Sequence, residues 1–289
     1  MTTPGVRRGA GAPTVLHRLS LGVECRDALT DQLVSRPLRV GRIAHRRLLP
    51  RPATAGWPCL DLEPAGPGRF RLRQQLNLPT TLILRIDDPS RRYLPRVFSL
   101  TPWRADELDD PFVAVVARIL RCWLLPAAGY LIPRGSTVLR GRVAHLGTPI
   151  RWARIKALTP TNTVAGWAHT DERGEFLLVV EDPDQNPILS TVTLELVVYA
   201  PAPALPADPL DRLADLAPEV VPQSPRPPAG QSRSAAPAPP APPPYLDNPQ
   251  LRGRQRPPNY AVSTLPPVAV TVPIGTELYW PTDLDFVAP

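Results

Sequence analysis

Apolar and polar residues alternate along much of this chain, and a period of two is the pattern of strands that bury one face. In the clearest unit, turns separate the runs 138–144, 150–157, 175–180 and 191–200. Gly147-Thr148-Pro149 suits a reversal of the chain, because Gly tolerates positive φ and Pro fixes φ. Thr170-Asp171-Glu172-Arg173-Gly174 is a second such turn. This unit therefore predicts a β-sandwich.

The first half of the chain follows the same plan. Its alternating or apolar runs occupy 19–26, 36–44, 59–62, 69–73, 81–86 and 93–100. Gly68-Arg69-Phe70 parallels Gly174-Glu175-Phe176, because each begins an apolar strand after a turn. We therefore predict two related sandwiches, at 14–103 and 112–200. For the run 112–125, strand and short helix both stay open, and the turn signals favour a strand.

Proline determines the rest of the predicted architecture. The 42 prolines cannot lie inside helices or central strands, which predicts an all-β fold with little helix. We expect a flexible arm at 1–13, a proline-rich linker at 201–258 and a docking tail at 259–289. The core of the linker, 234–244, favours polyproline II. A short helix is predicted at 208–217, because Asp and Pro suit its cap and first position.

The central unit resembles a known family of Ig-type sandwiches, the carboxypeptidase-regulatory-like or transthyretin-like fold. The resemblance rests on four stretches: Leu139-Arg140-Gly141-Arg142-Val143, Gly147-Thr148-Pro149-Ile150, Ala153-Arg154-Ile155 and Thr170-Asp171-Glu172-Arg173-Gly174-Glu175-Phe176. It implies an Ig/transthyretin-like sandwich for the central unit, and together with the related first half and the proline-rich segment it gives a predicted fold of two Ig/transthyretin-like sandwiches followed by an extended proline-rich C-terminal arm. It also implies that the acidic turn is structural. The resemblance is silent on function, because one fold hosts many roles.

The charged residues indicate which kind of partner the protein binds, and the cysteines indicate the compartment in which it folds. Lys and Arg total 33 against 26 Asp and Glu, and Lys156 is the only lysine. Arginine suits planar contacts at protein interfaces, and these arginines are scattered without interleaved aromatics, so we expect no nucleic-acid partner. Cys25, Cys59 and Cys122 are odd in number and widely spaced, which argues against disulfides and zinc. We expect buried, reduced thiols and folding in the cytoplasm.

The sequence predicts no catalytic, cofactor-binding or metal-binding site. The histidines lack ligand spacing: His17, His45, His145 and His169. Asp87-Asp88-Pro89 and Asp182-Pro183-Asp184 are typical of turns. Six tryptophans could stack on sugars, but core or interface positions are favoured: Trp57, Trp103, Trp123, Trp152, Trp167 and Trp280. We expect no signal peptide, and no membrane span, because Arg118 and Arg121 interrupt the most apolar stretch.

These features together predict a non-enzymatic structural or adaptor subunit of a large assembly. The stretch Leu124-Leu125-Pro126 followed by Arg140-Gly141-Arg142-Val143, together with the Thr-Asp-x-x-Gly-x-Phe turn at 170–176, is similar to accessory proteins of phage tail-like contractile injection systems. That resemblance implies a cap, collar or cap-adaptor role in a symmetric oligomer within a particle assembled in the cytoplasm, with tube, sheath or cap proteins as partners. A baseplate accessory, or an adhesin module that binds carbohydrate or a surface, is the alternative.

We expect the tail to be the part that binds a partner. Its apolar and aromatic residues would dock by strand pairing and burial: Val268, Val270, Val272, Leu278, Tyr279, Trp280 and Phe286. In isolation the arm should then be mobile. Deletion of 260–289 should leave both sandwiches folded.

Overall fold

The computed structural model describes residues 19–43, 57–73, 78–103, 118–181, 190–202, 204–205, 208, 211–221 and 248–289. These residues form nineteen β-strands and no α-helix, which confirms the all-β fold. Several predicted features lie outside the described residues: the arm 1–13, the polyproline core 234–244, the turn 182–184, His17 and His45.

The first module consists of two sheets packed around one core. Its strands are β1 Leu19–Asp27, β2 Arg39–Ile43, β3 Cys59–Asp61, β4 Glu63–Gly66, β5 Arg69–Arg73, β6 Leu82–Asp87, β7 Arg96–Leu100 and β8 Ile119–Leu124. One sheet has the order β4-β5-β1-β8, and the other contains β7-β6-β2-β3. Side chains from both sheets, such as Val23 and Phe98, share the buried core.

The second module also pairs two sheets over a core. Its strands are β9 Val138–His145, β10 Thr148–Pro149, β11 Arg154–Leu158, β12 Val164–His169, β13 Glu175–Val179 and β14 Thr191–Pro201. One sheet contains β10-β9-β13 and the other β12-β11-β14. Leu139 and Phe176 from the first of these sheets pack with Ile155 and Leu194 from the second.

Strand β8 lies in the first module, although the sequence predicts that 112–200 forms the second sandwich. It pairs in parallel with β1 and places Cys122 opposite Cys25. Its alternate side chains Leu120 and Cys122 enter the first core, which explains why this edge of β1 is the favourable partner. Residues 119–124 are therefore strand, as the turn signals favoured, while 112–117 lie outside the described residues.

The last third of the chain returns to the two modules instead of extending away from them. It supplies the strands β15 Glu219–Val220, β16 Tyr260–Val262, β17 Val268–Pro273, β18 Glu277–Tyr279 and β19 Leu284–Asp285. β15 extends the first module by pairing with β7, β16 and β17 pair with β14, and β18 and β19 pair with β9. The described parts of 201–289 therefore complete sheets of the two modules. The sequence instead predicts that this segment extends away from them as a linker and a docking tail.

The helix predicted at 208–217 is wrong for the residues described there, which form turns and an isolated bridge between Asp208 and Asp211. Two ion pairs to the modules hold these turns. Arg85 Nη1 lies 2.7 Å from Asp211 Oδ1, and Arg151 Nε lies 3.0 Å from Asp215 Oδ2. A helix this short is marginal in water, so these tertiary contacts override the local capping signal.

The parallel between the two halves has a structural basis at Gly68 and Gly174. Both have left-handed backbone, with φ of 64° and 74°, and both stand just before the strand that pairs antiparallel with the first long strand of their module. A Cβ at either position would approach a backbone oxygen, that of Val34 or Val143, to 2.8 or 2.6 Å. Glycine is therefore required at the same structural point in each module.

Candidate functional site

Six of the seven residues predicted to dock on a partner pack into the second core of their own chain. Val270, Val272 and Phe286 are buried there, and three others are partly buried against the same cluster: Val268, Leu278 and Trp280. Tyr279 is the exception, at 68% exposed, and its ring lies under the guanidinium of Arg140. The tail is thus part of the folded second module. Burial of each large apolar side chain contributes roughly 1.5–3 kcal/mol to the stability of that module.

Residues 211–221 and 248–255 tie the two modules together through a buried ion network. Glu219 of β15 accepts hydrogen bonds from Arg96 of β7, at 3.0 Å from Nε and 2.7 Å from Nη2. Its Oε2 also lies 3.2 Å from Nη2 of Arg154 on β11. The Arg96 side chain is only 2% exposed. One carboxylate from the last third of the chain therefore bridges a strand of each module.

Backbone carbonyls complete this network. Arg96 Nη1 donates to Trp123 O at 2.8 Å and also to Leu251 O, while Nη2 donates to Gln250 O at 2.9 Å. Arg154 donates to the carbonyl of Gln255. Every nitrogen of the Arg96 guanidinium therefore has an acceptor, as a buried charge requires, whereas Arg154 has acceptors at its two terminal nitrogens and none at its buried Nε within the described residues.

Two pKa values reflect the burial of this junction. Burial alone would raise the pKa of Glu219, but the charges of Arg96 and Arg154 outweigh it and lower the pKa to about 2. Burial, followed by the charge of Arg154, lowers the pKa of His169 to about 3. The His169 ring is therefore neutral near pH 7, and its Nε2 donates to the carbonyl oxygen of Gly253 at 2.8 Å.

The outer face of the sheet β4-β5-β1-β8 carries a second concentration of charge. Arg69, Arg71 and Arg73 alternate along β5, so all three project away from the core. Strand register places Glu24 of β1 between Arg69 on one side and Arg121 on the other. We call this group the arginine face: Arg26, Arg69, Arg71, Arg73, Arg121, Glu24 and Glu63.

Positive charge is in excess on the arginine face. Glu24 is shared by Arg69 and Arg121, each 3.1 Å away, and by Arg26 at 3.7 Å. Glu63 accepts from Arg71 and from Arg73, and these hydrogen bonds lower its pKa to about 2. Asp31 touches only the rim, 3.9 Å from Arg26. Among the residues that the structure describes, five guanidinium groups thus share two central carboxylates, which leaves a net attraction for anions.

A shallow apolar depression lies among these arginines. Gly22 has no side chain, and Leu19, Phe70 and Ile119 line the space together with the stems of the β5 arginines, in a volume of about 350 Å³. Arginine stems can cover apolar surface while their charged ends stay in water. The arginine face can therefore accept one apolar group beside negatively charged ones.

No family model, no curated protein and no solved structure matches this chain. The buried junction and the arginine face therefore rest on the geometry of this chain alone. The arginine face had one visible signal in the sequence, the alternation of Arg69-Phe70-Arg71-Leu72-Arg73. The contributions of Glu24 and Arg121 depend on strand register, which the sequence did not reveal.

The two acidic stretches that fall within the described residues form turns held by hydrogen bonds from backbone N–H groups to Asp side chains. Asp171 Oδ1 accepts from the backbone N–H groups of Arg173 and Glu175, at 2.7 and 3.0 Å. Asp88 accepts from the backbone N–H groups of Ser90, Arg92 and Tyr93. Within the described residues, no group of three or more His, Cys, Asp and Glu side chains could hold a metal ion.

The positions of the cysteines and tryptophans agree with the predicted interior roles. All three cysteines are free and buried, and the sulfur atoms of Cys25 and Cys122 are 3.7 Å apart. Four tryptophans are buried: Trp57, Trp103, Trp123 and Trp152.

His145 is exposed, and its Nδ1 lies 2.9 Å from the carbonyl oxygen of Phe286. Across the described ranges, no helix has the length and apolarity needed to cross a membrane.

Proposed function

We propose that the protein is a non-enzymatic structural adaptor that holds protein subunits of a larger assembly in a fixed arrangement. The observation that supports this role is the buried junction of Arg96, Glu219 and Arg154. Contacts between domains of one chain are commonly small and polar, and they permit relative motion. Here the last third of the chain contributes strands to both modules and a buried carboxylate between them, so the two modules form a rigid spacer.

The specific assembly that we propose is a phage tail-like contractile injection particle, with the protein at its cap or collar. This part of the proposal rests on the resemblance of the central unit to carboxypeptidase-regulatory-like modules and to accessory proteins of such particles. Tube, sheath or cap proteins would be the partners, and the protein would be a symmetric oligomer in the particle. Assembly would take place in the cytoplasm.

Sedimentation of the protein from its own host tests this proposal. The protein, tagged at its native locus, is expected to sediment in a gradient far below the position of a 31.6 kDa monomer, and negative-stain microscopy of that fraction should show sheathed tubes. Sedimentation only as a monomer in extracts of cells that make the particle contradicts the adaptor role. A heavy complex without sheathed tubes contradicts only the contractile-particle part.

A matched pair of variants tests whether the rigid junction matters for assembly. Glu219→Gln removes the buried charge between the modules, whereas Glu195→Gln makes the same change on the exposed face of β14. We expect the first variant to be lost from the heavy fraction and the second to remain in it. Equal incorporation of both variants would show that a fixed junction is unnecessary for assembly.

A further inference from the structure

The arginine face has a regular spacing along β5. Arg69, Arg71 and Arg73 are alternate residues of one strand, so their Cα atoms are about 6.6–6.8 Å apart, twice the rise per residue. Alternate side chains of an extended peptide repeat at the same distance. An extended segment lying on this face can therefore place one acidic side chain against each guanidinium without changing its conformation.

The guanidinium groups are accessible to such a segment. The side chains of Arg69 and Arg71 are 52% and 42% exposed, and Glu24 and Glu63 neutralise only part of the charge. The depression near Gly22 adds an apolar floor, formed by Leu19, Phe70 and Ile119, on which one apolar side chain can pack. Charge and shape together thus fit an acidic segment that carries a large apolar residue on the same side as its carboxylates.

We propose that the arginine face binds an extended acidic segment of a partner subunit, with Asp or Glu at alternate positions and one apolar residue that enters the depression at Gly22. This inference rests on the proposed adaptor role, which supplies the partner. A single-stranded nucleic acid fits less well, because such binding stacks successive bases on several aromatic rings, and the half-buried Phe70 in the depression is the one aromatic ring among the described residues that line it.

Peptide binding to the purified full chain tests the inference. The probe is a short labelled peptide in which Glu, Leu, Glu and Glu face one side and Ser residues face the other, and fluorescence anisotropy measures its affinity. Replacing both Arg69 and Arg71 with Glu should weaken binding at least about tenfold, because attraction becomes repulsion. Arg173→Glu, a single charge reversal at an exposed turn outside this face, should leave the affinity unchanged. If circular dichroism shows that the double Glu variant misfolds, the variant with both Arg69→Gln and Arg71→Gln is measured in its place.

Two control ligands test the chemistry of the partner. A peptide with Ser in place of Leu should bind with an affinity at least about tenfold lower, because burial of the apolar group is lost. A single-stranded oligonucleotide of equal charge should bind more weakly than the Glu-Leu peptide. Tighter binding of the oligonucleotide, loss of binding in Arg173→Glu, or equal binding of the Ser peptide would each overturn the proposal.

A further variant identifies the source of the segment. The sequence has an acidic run at 106–110, and its four carboxylates are replaced by Asp106→Asn, Glu107→Gln, Asp109→Asn and Asp110→Asn. We expect the affinity for the peptide to stay the same. If only this variant binds the peptide, the acidic run 106–110 of the same chain occupies the arginine face. The proposal that the segment comes from a partner subunit is then wrong. Absence of peptide binding in every variant, while the native protein still sediments in a particle, overturns this inference and leaves the adaptor role intact.

Discussion

Asp27 connects three parts of the first module through its two carboxylate oxygens. Oδ2 accepts from the hydroxyl groups of Tyr93 and Tyr130, at 2.7 and 2.5 Å, and Oδ1 accepts from the backbone N–H groups of Leu29 and Thr30. Burial, together with the hydrogen bond to Asp27, raises the pKa of both tyrosines. The two phenols therefore remain protonated donors at neutral pH.

We predict that Asp27→Asn destabilises the first module by about 2–3 kcal/mol, because the amide turns an N–H donor toward groups that are themselves donors. Tyr93→Phe should cost less, about 1 kcal/mol, since it removes one hydrogen bond and leaves Asp27 with its other partners. Urea unfolding of the two variants and the native protein measures these costs. An Asn variant as stable as the native protein would contradict this account of Asp27.

His169 predicts a dependence of stability on pH. Its folded pKa of about 3 lies below the ordinary value of 6.5, so the unfolded chain binds more protons between these two pH values. Stability from this group is therefore complete above pH 6.5 and is lost as the pH falls toward 3. Part of the His169 side chain reaches solvent, so we expect a loss of about 1–2 kcal/mol between pH 7 and 4.

The control for this prediction is His169→Gln, which cannot titrate but can still donate to the carbonyl of Gly253. Apart from Glu219, which interacts electrostatically with His169, the other groups should titrate alike in both proteins, so the difference in unfolding free energy reports on His169 and this coupling. The native protein should lose more stability than the variant between pH 7 and 4. Parallel curves would show that His169 is protonated as easily in the folded chain as in the unfolded one.

At the scale of elements, the tail completes the second module. β17 pairs with β14 over six residue pairs, and β18 and β19 lie in parallel along β9. Without them, two strand edges and the apolar side of the core would be open to water. Deletion of 260–289 is therefore expected to unfold the second module, the opposite of what the sequence suggested.

Two neighbouring residues of β17 test this role without removing the segment. Val272→Ala should cost about 1–3 kcal/mol, because Val272 is fully buried in the second core. Thr271→Ala, on the exposed side of the same strand, should change stability by less than about 0.5 kcal/mol. Thermal unfolding followed by circular dichroism measures both. Equal effects of the two substitutions would mean that the tail does not pack as the structure has it.

Three elements show which parts of the fold follow from local sequence patterns and which depend on distant pairing. The run predicted at 69–73 coincides with β5 Arg69–Arg73, because alternation along one strand is a local property. The position of β8 beside β1 was not predictable, since pairing is decided by register with a distant edge. The tail has the same difficulty: its valines and aromatics signalled burial, but the sequence did not say that the partner surface was its own module.

At the scale of the whole molecule, the junction is the feature that converts two sandwiches into one body. Residues 211–221 contact both of them, through Arg85 and Asp211 on the first and Arg151 and Asp215 on the second. Glu219 lies where these contacts meet the network of Arg96 and Arg154. The modules should therefore unfold together in the native protein, because neither can lose its fold without exposing the shared charges.

Glu219→Gln should break this coupling. The variant keeps the shape of the side chain but leaves two buried guanidinium groups without a countercharge, which typically costs about 3–5 kcal/mol. In differential scanning calorimetry, the native protein should give one transition and the variant two, the first at a lower temperature. Glu195→Gln, on an exposed strand face, should behave like the native protein. If Glu219→Gln still unfolds in a single transition at the native temperature, the ion network does not hold the modules together, and the rigid-spacer argument for the adaptor role loses its basis.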